Sequence, residues 1–257
     1  MAKSSCFIAV AIGLLPALAG AREWQTVRIG TDATYPPFET VNSKGQIVGF
    51  EIEYAMALCA RLNLSCRFVN QDWDGIIPAL LTGKFDAIFS SMTVTEARKA
   101  KVIFSDVYYS TPPVFAAPAS DHSDDISAAA LKNKTIGTQS STTFANYLAK
   151  FYPASSIKLY PTLQEANLDL ASGRIDFVFG ESVVEQNFID TTGNGCCRVI
   201  GSVKRDPETL GFGVGAAFRP DDADLRDKFN RAIAELDADG TYKSIEKKYF
   251  KDDVRGK

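Results

Sequence analysis

Four hydroxyl side chains and an arginine crowd residues 90–98, "SSMTVTEAR", at the end of the apolar run "FDAIFSS". Hydroxyls in such a place can be nucleophiles, phosphate hooks or a ligand cradle. A serine nucleophile needs a base, usually histidine, within hydrogen-bond reach. The chain has one histidine, His122, in the polar loop "ASDHSDD", where an exposed loop residue is expected. There is no G-x-S-x-G elbow, and neither Ser90 nor Ser91 begins an S-x-x-K pair. No Walker loop is present to hold phosphate. A cradle fits better. Arg98 presents a two-pronged guanidinium suited to a carboxylate, and Ser91 and Thr93 stand beside it. Farther along, "GTQSSTTFANYL" puts Ser141 and Thr142 at a helix start, whose free N–H groups attract an anion.

Other residues point to a cation. Asp32 and Glu51 offer carboxylates, and Tyr35 and Trp73 offer ring faces for a guanidinium or an alkyl chain. Each also has an ordinary structural role: core packing for the aromatics, a turn for Asp32, a helix-start charge for Glu51. These acidic and aromatic groups support a cationic ligand.

The elements that must position these groups alternate. "TVRIGTD", "SCRFVNQ" and "FDAIFSS" read as strands, with helices in "FEIEYAMALCARL" and "WDGIIPALLTGK", the latter after an Asp cap. The rhythm restarts with "KTIGTQS", "STTFANYLAKFYP", "SIKLYP", "LQEANLDLASGR" and "IDFVFGES". "LLTGKFDAIFSS" and "LASGRIDFVFGE" echo one another as helix end, glycine turn, basic residue and strand. "VFAAPAS" and "GFGVGAAFR" read as extended crossings, and two helices broken at Asp239-Gly240 close the chain. The pattern predicts two α/β lobes with parallel, doubly wound sheets, and ligands at the carboxyl ends of their strands.

The chain of 257 residues is 46% hydrophobic and 23% charged, the balance of a soluble globular protein. "MAKSSCFIAVAIGLLPALAGA", residues 1–21, reads as a cleavable secretory signal peptide, ending at Ala19 or Ala21. Its removal takes away only Lys3, so the net charge moves from −3 to −4, with no basic footprint for nucleic acid. After Ala21 no apolar run is long enough to cross a bilayer. In an oxidising compartment, Cys59 and Cys66 fit a disulfide between a helix end and a strand start. Two thiols with no histidine nearby make a poor metal site. Cys196 and Cys197, in "TGNGCCRV", are either a bonded pair of neighbours or two free thiols.

"IGTDATYPPFE", "GQIVGFEIE", "CARLNLSC", "DWDGIIPALLTGKFDAIFSSMTVTEAR", "IFSDVYY", "SGRIDFVF" and "ADGTYKSIEKKYF" resemble the polar amino-acid class of periplasmic solute-binding proteins. The nearest type is the lysine/arginine/ornithine- and histidine-binding subunits of ABC importers. The resemblance covers nearly the whole mature chain. It implies a two-lobed α/β periplasmic binding protein fold of type II, with two doubly wound sheets joined by two hinge strands. Lobe 1 would be 22–110 with 214–257, and lobe 2 would be 111–213. It further implies a monomeric periplasmic protein without catalysis, cofactor or metal, which traps a cationic L-amino acid and delivers it to a membrane permease.

Carried over residue by residue, the carboxylate clamp falls on Arg98, assisted by Ser91, Thr93 and Thr142. Glu181, where the family usually has aspartate, would meet the α-ammonium group together with the Ser90–Ser91 region. The side-chain end falls on Asp32, Tyr35, Glu51, Trp73, Ser90, Thr138 and Thr143. Two other readings share the fold. "DWDGIIPAL" also resembles opine-binding (nopaline, octopine) subunits, whose ligands carry extra carboxylates that suit Asp32, Glu51 and Glu181 poorly. A cyclohexadienyl dehydratase would use Glu181 as a general acid.

Overall fold

Two five-stranded sheets organise the computed structural model, which describes residues 23–255. The signal peptide expected over 1–21 lies outside the described residues. The first sheet runs in the order Ser65–Asn70, Thr26–Thr31, Ala87–Ile88, Ala217–Phe218, Ile103–Phe104. The second runs Ser156–Tyr160, Thr135–Gln139, Phe177–Glu181, Pro113–Pro118, Cys197–Ser202.

Both sheets are mixed, which corrects the all-parallel expectation. In each, three neighbouring strands pair in parallel, and the one strand running against the rest is the strand that follows a crossing between lobes. Ala217–Phe218 enters the first sheet beside Ala87–Ile88, and Pro113–Pro118 enters the second beside Phe177–Glu181. A chain arriving from the other lobe comes from the cleft end, so it runs against strands that finish there. "VFAAPAS", read as a free crossing, is therefore largely a buried strand, and the first connection ends at Pro112.

Helix positions follow side-chain period. In Phe50–Arg61, residues 50, 54, 55, 58 and 59 recur on one buried face. In Ala223–Ala238, Leu225, Phe229, Ala232, Ile233 and Leu236 do the same. Both faces join an aromatic core containing Phe38, Tyr108, Tyr109 and Tyr242. The second lobe packs Phe115, Tyr147, Tyr152 and Phe179 together. Residues 73–75 form a 3₁₀ turn ahead of the helix Ile76–Leu81, and Asp72 makes no side-chain cap bond.

The helix Phe50–Arg61 turns through Asn63, at φ 54°, straight into Ser65–Asn70. This tight return brings Cys59 and Cys66 to a Cα separation of 6.2 Å, and they are disulfide-bonded. Cys196 and Cys197 are also bonded to each other, which decides between the two states that their spacing allowed.

The returning crossing is held in place. Val214 bridges Thr93 and Tyr109, and Val94 N–H donates to the Gly213 carbonyl at 2.8 Å. Gly211 has φ 59°, and a Cβ there would lie 2.2 Å from the Val94 carbonyl oxygen, so only glycine fits.

Candidate ligand-binding cleft

The parallel strands of both sheets end on a common cleft of about 390 Å³, open solvent at its mouth included. Asp32 follows Thr26–Thr31, Ser90 and Ser91 follow Ala87–Ile88, Gln139 ends Thr135–Gln139, and Glu181 ends Phe177–Glu181. Strand ends deliver these side chains because the backbone there is released from the ladder and free to turn. Ser91 and Ser141 take left-handed conformations, with φ of 49° and 55°. Non-glycine residues held there are strained, a feature that concentrates at functional sites.

Arg98 supplies the positive side of the cleft. Its helix, Glu96–Lys99, is capped by the Thr95 hydroxyl. One guanidinium nitrogen donates to the Thr93 carbonyl at 2.8 Å, and the group stacks 5.1 Å from the Trp73 ring centroid. No carboxylate pairs with it among the described residues, and burial lowers its pKa to about 10. Opposite lies the start of the helix Thr143–Phe151. The Thr142 hydroxyl donates to the Gln139 carbonyl at 2.7 Å and accepts from Ala145 N–H at 3.2 Å. Its capacity is thus spent on the cap. The first-turn N–H groups of Thr143 and Phe144, both lining the cleft, are the donors left for an anion.

The rest of the wall is acidic. Asp32 accepts from the Thr34 hydroxyl at 2.9 Å and the Gln139 amide at 3.1 Å, and burial raises its pKa. Glu181 accepts from the Thr111 hydroxyl and bonds Tyr35; burial pushes its pKa up to about 7. Glu39 lines the cleft with Glu51 behind it. Glu51 accepts the Ser91 N–H at 2.6 Å and the Tyr108 hydroxyl.

Besides the Tyr35–Glu181 bond, three further contacts cross the cleft. Gln139 donates to Asp32, the Trp73 indole donates to the Ser141 carbonyl at 3.1 Å, and the Ser140 hydroxyl reaches Asp74 at 3.0 Å. The lobes are therefore closed on one another.

Of the residues singled out in the sequence, ten line the cleft together: Asp32, Tyr35, Trp73, Ser90, Ser91, Thr93, Arg98, Thr142, Thr143 and Glu181. Two stand elsewhere. Thr138 is fully buried and donates to the Phe179 carbonyl at 2.8 Å inside the sheet, because pleat alternation turns it away and turns Gln139 inward. Glu51 is one layer back, reaching the cleft through Ser91 and Glu39. Trp73, expected to face a ligand guanidinium, gives one ring face to Arg98. Glu39, Gln139 and Phe144 were missed. Period two along "TIGTQ" was the available signal for Gln139, and the helix start for Phe144; Glu39 had none beyond its place in "YPPFE".

The profile of the bacterial extracellular solute-binding proteins, family 3, matches residues 27–252. An L-arginine-binding protein of Pseudomonas aeruginosa is 40% identical, over 97% of this chain and 96% of its own. A histidine-binding periplasmic protein of Salmonella typhimurium is 37% identical over 90% of each chain. Among solved structures, an ancestral arginine-binding protein bound to arginine superposes with a TM-score of 0.81 at 33% identity, covering 88% of this chain and 98% of that one.

Proposed function

The chain belongs to the bacterial extracellular solute-binding proteins of family 3, and from that premise we propose that it captures a cationic L-amino acid for an ABC importer. The observation that carries this reading is the division of charge in the cleft. Arg98 and the N–H groups of Thr143 and Phe144 stand ready for an α-carboxylate, while Asp32, Glu39 and Glu181 suit positive groups. Glu181 receives the α-ammonium, and Asp32 with the ring of Trp73 receives the basic side chain. Arginine ranks first, ahead of ornithine, lysine and histidine, because a planar guanidinium suits both a carboxylate and a ring face.

Residues 22–110 with 214–257 form one lobe and 111–213 the other. Ligand contacts from both favour the closed state, since neither half-site is complete alone. Closure gives a permease one joined surface to recognise. The mature protein works as a monomer in the periplasm after loss of residues 1–21. It binds without converting its ligand, in keeping with relatives that are binding proteins.

A thermal-shift screen of the twenty amino acids and several opines on ligand-stripped protein, followed by calorimetry, tests the reading. Arginine, ornithine and lysine are expected to stabilise most. Glutamate or glutamine as the tightest ligand would sink the assignment, and turnover of prephenate or arogenate would replace it with the dehydratase reading.

A further inference from the structure

We propose that Glu39 and Glu51 share a single proton in the unliganded protein and release it when a cationic amino acid binds, making Glu39 a determinant of ligand charge. This rests on the reading of the cleft as a cationic amino-acid site.

Glu39 comes from the hairpin strand Glu39–Val41 and Glu51 from the first turn of Phe50–Arg61. They are 1% and 0% exposed, and their carboxyl groups lie within hydrogen-bonding reach of each other. Two adjacent carboxylates in a dry site cannot both ionise without a cation, so one proton stays between them. The donors decide its place. Glu51 accepts the Ser91 N–H and the Tyr108 hydroxyl, whereas Glu39 has only a 3.3 Å contact from the Ser91 hydroxyl. Glu51 is therefore the carboxylate and Glu39 the acid.

Among the described residues no neighbouring element supplies a positive charge to the pair. Asp32 faces it from the end of the first strand, and Tyr35 from the hairpin. Tyr108 and Tyr109 face it from the first crossing, and Glu181 acts on Tyr35 and Tyr109 from the second lobe. Arg98 is engaged with Thr93 and Trp73. Burial and Glu51 together push the Glu39 pKa well above the carboxylate range. A ligand cation brings the missing charge, the second carboxyl ionises and the proton leaves to solvent.

Calorimetry of arginine binding at neutral pH, in buffers of different ionisation enthalpy, counts protons released per ligand. Wild type is expected to release protons, and Glu39→Gln to bind arginine while releasing fewer. Wild-type affinity should also rise with pH, by up to about tenfold per unit for each proton released. Unchanged release in Glu39→Gln, or none in wild type, would overturn the inference while leaving the binding function intact. Absence of any arginine heat or thermal shift would instead remove the functional reading, and the inference with it. If Glu39→Gln does not fold, the wild-type infrared difference spectrum decides. Loss of a protonated-carboxyl band on arginine binding is expected, and an unchanged band would overturn the proposal.

Discussion

The Gln139 amide donates to the Asp32 carboxylate at 3.1 Å, joining two residues that lie 107 positions apart and in different lobes. Asp32 is buried beside it, and Gln139 also donates to the Pro161 carbonyl at 3.0 Å. One side chain thus ties the cleft wall of one lobe to the frame of the other.

Gln139→Ala should weaken arginine binding by about 1.5–3 kcal/mol, the range of a hydrogen bond to a charged group. The closed state loses a contact while the other cross-cleft bonds, including Tyr35–Glu181, remain. Small-angle scattering should show wild type contracting on adding arginine, with the mutant needing more ligand for the same contraction. An unchanged wild-type curve at saturating arginine would contradict hinge closure.

Arg98→Ala should cost on the order of 2–5 kcal/mol of binding, because a ligand carboxylate would face a partly dry site without its counter-charge. Arg98→Lys should recover only part, since both the fork and the guanidinium contact with the Trp73 ring are lost. Calorimetry measures both, and wild-type affinity in Arg98→Ala would refute the clamp.

Glu185 is fully buried in the helix Ser182–Asp190, and burial pushes its pKa up to about 8 from an ordinary 4.5. Between those values the folded protein keeps a proton that the unfolded chain releases, so stability falls as pH rises through that window. Glu185→Gln should flatten this decline and stabilise the ligand-free protein at alkaline pH by on the order of 3 kcal/mol. Urea denaturation at several pH values checks it, and parallel pH profiles would refute it.

The Cys59–Cys66 link closes a short loop, with a sequence separation of 7. Replacing both cysteines with alanine should cost about 2–3 kcal/mol, mainly by freeing the unfolded chain. Peptide mapping of non-reduced protein expressed with residues 1–21 should recover the 59–66 link, and free thiols there would count against the secretory reading.

Local pattern determined much of this protein. Alternating periods specify strands and helices, and their restart near residue 134 signals a second lobe, because each period reflects one buried face. The spacing in "LCARLNLSC" brings the two cysteines together through a single tight turn. Arg98 and the hydroxyls of residues 90–93 are legible because a strand end must place its last side chains at the sheet's edge. Tertiary structure decided the rest. A shift of one position along Thr135–Gln139 exchanges Thr138 for Gln139 in the cleft, and the pleat sets that choice once the lobe has packed. The pairing of Glu39 with Glu51 depends on a hairpin folding back over a helix start. Asp32, Trp73 and Asp74 meet residues 139–141 only where the crossings bring the lobes face to face, an adjacency that no short-range period encodes.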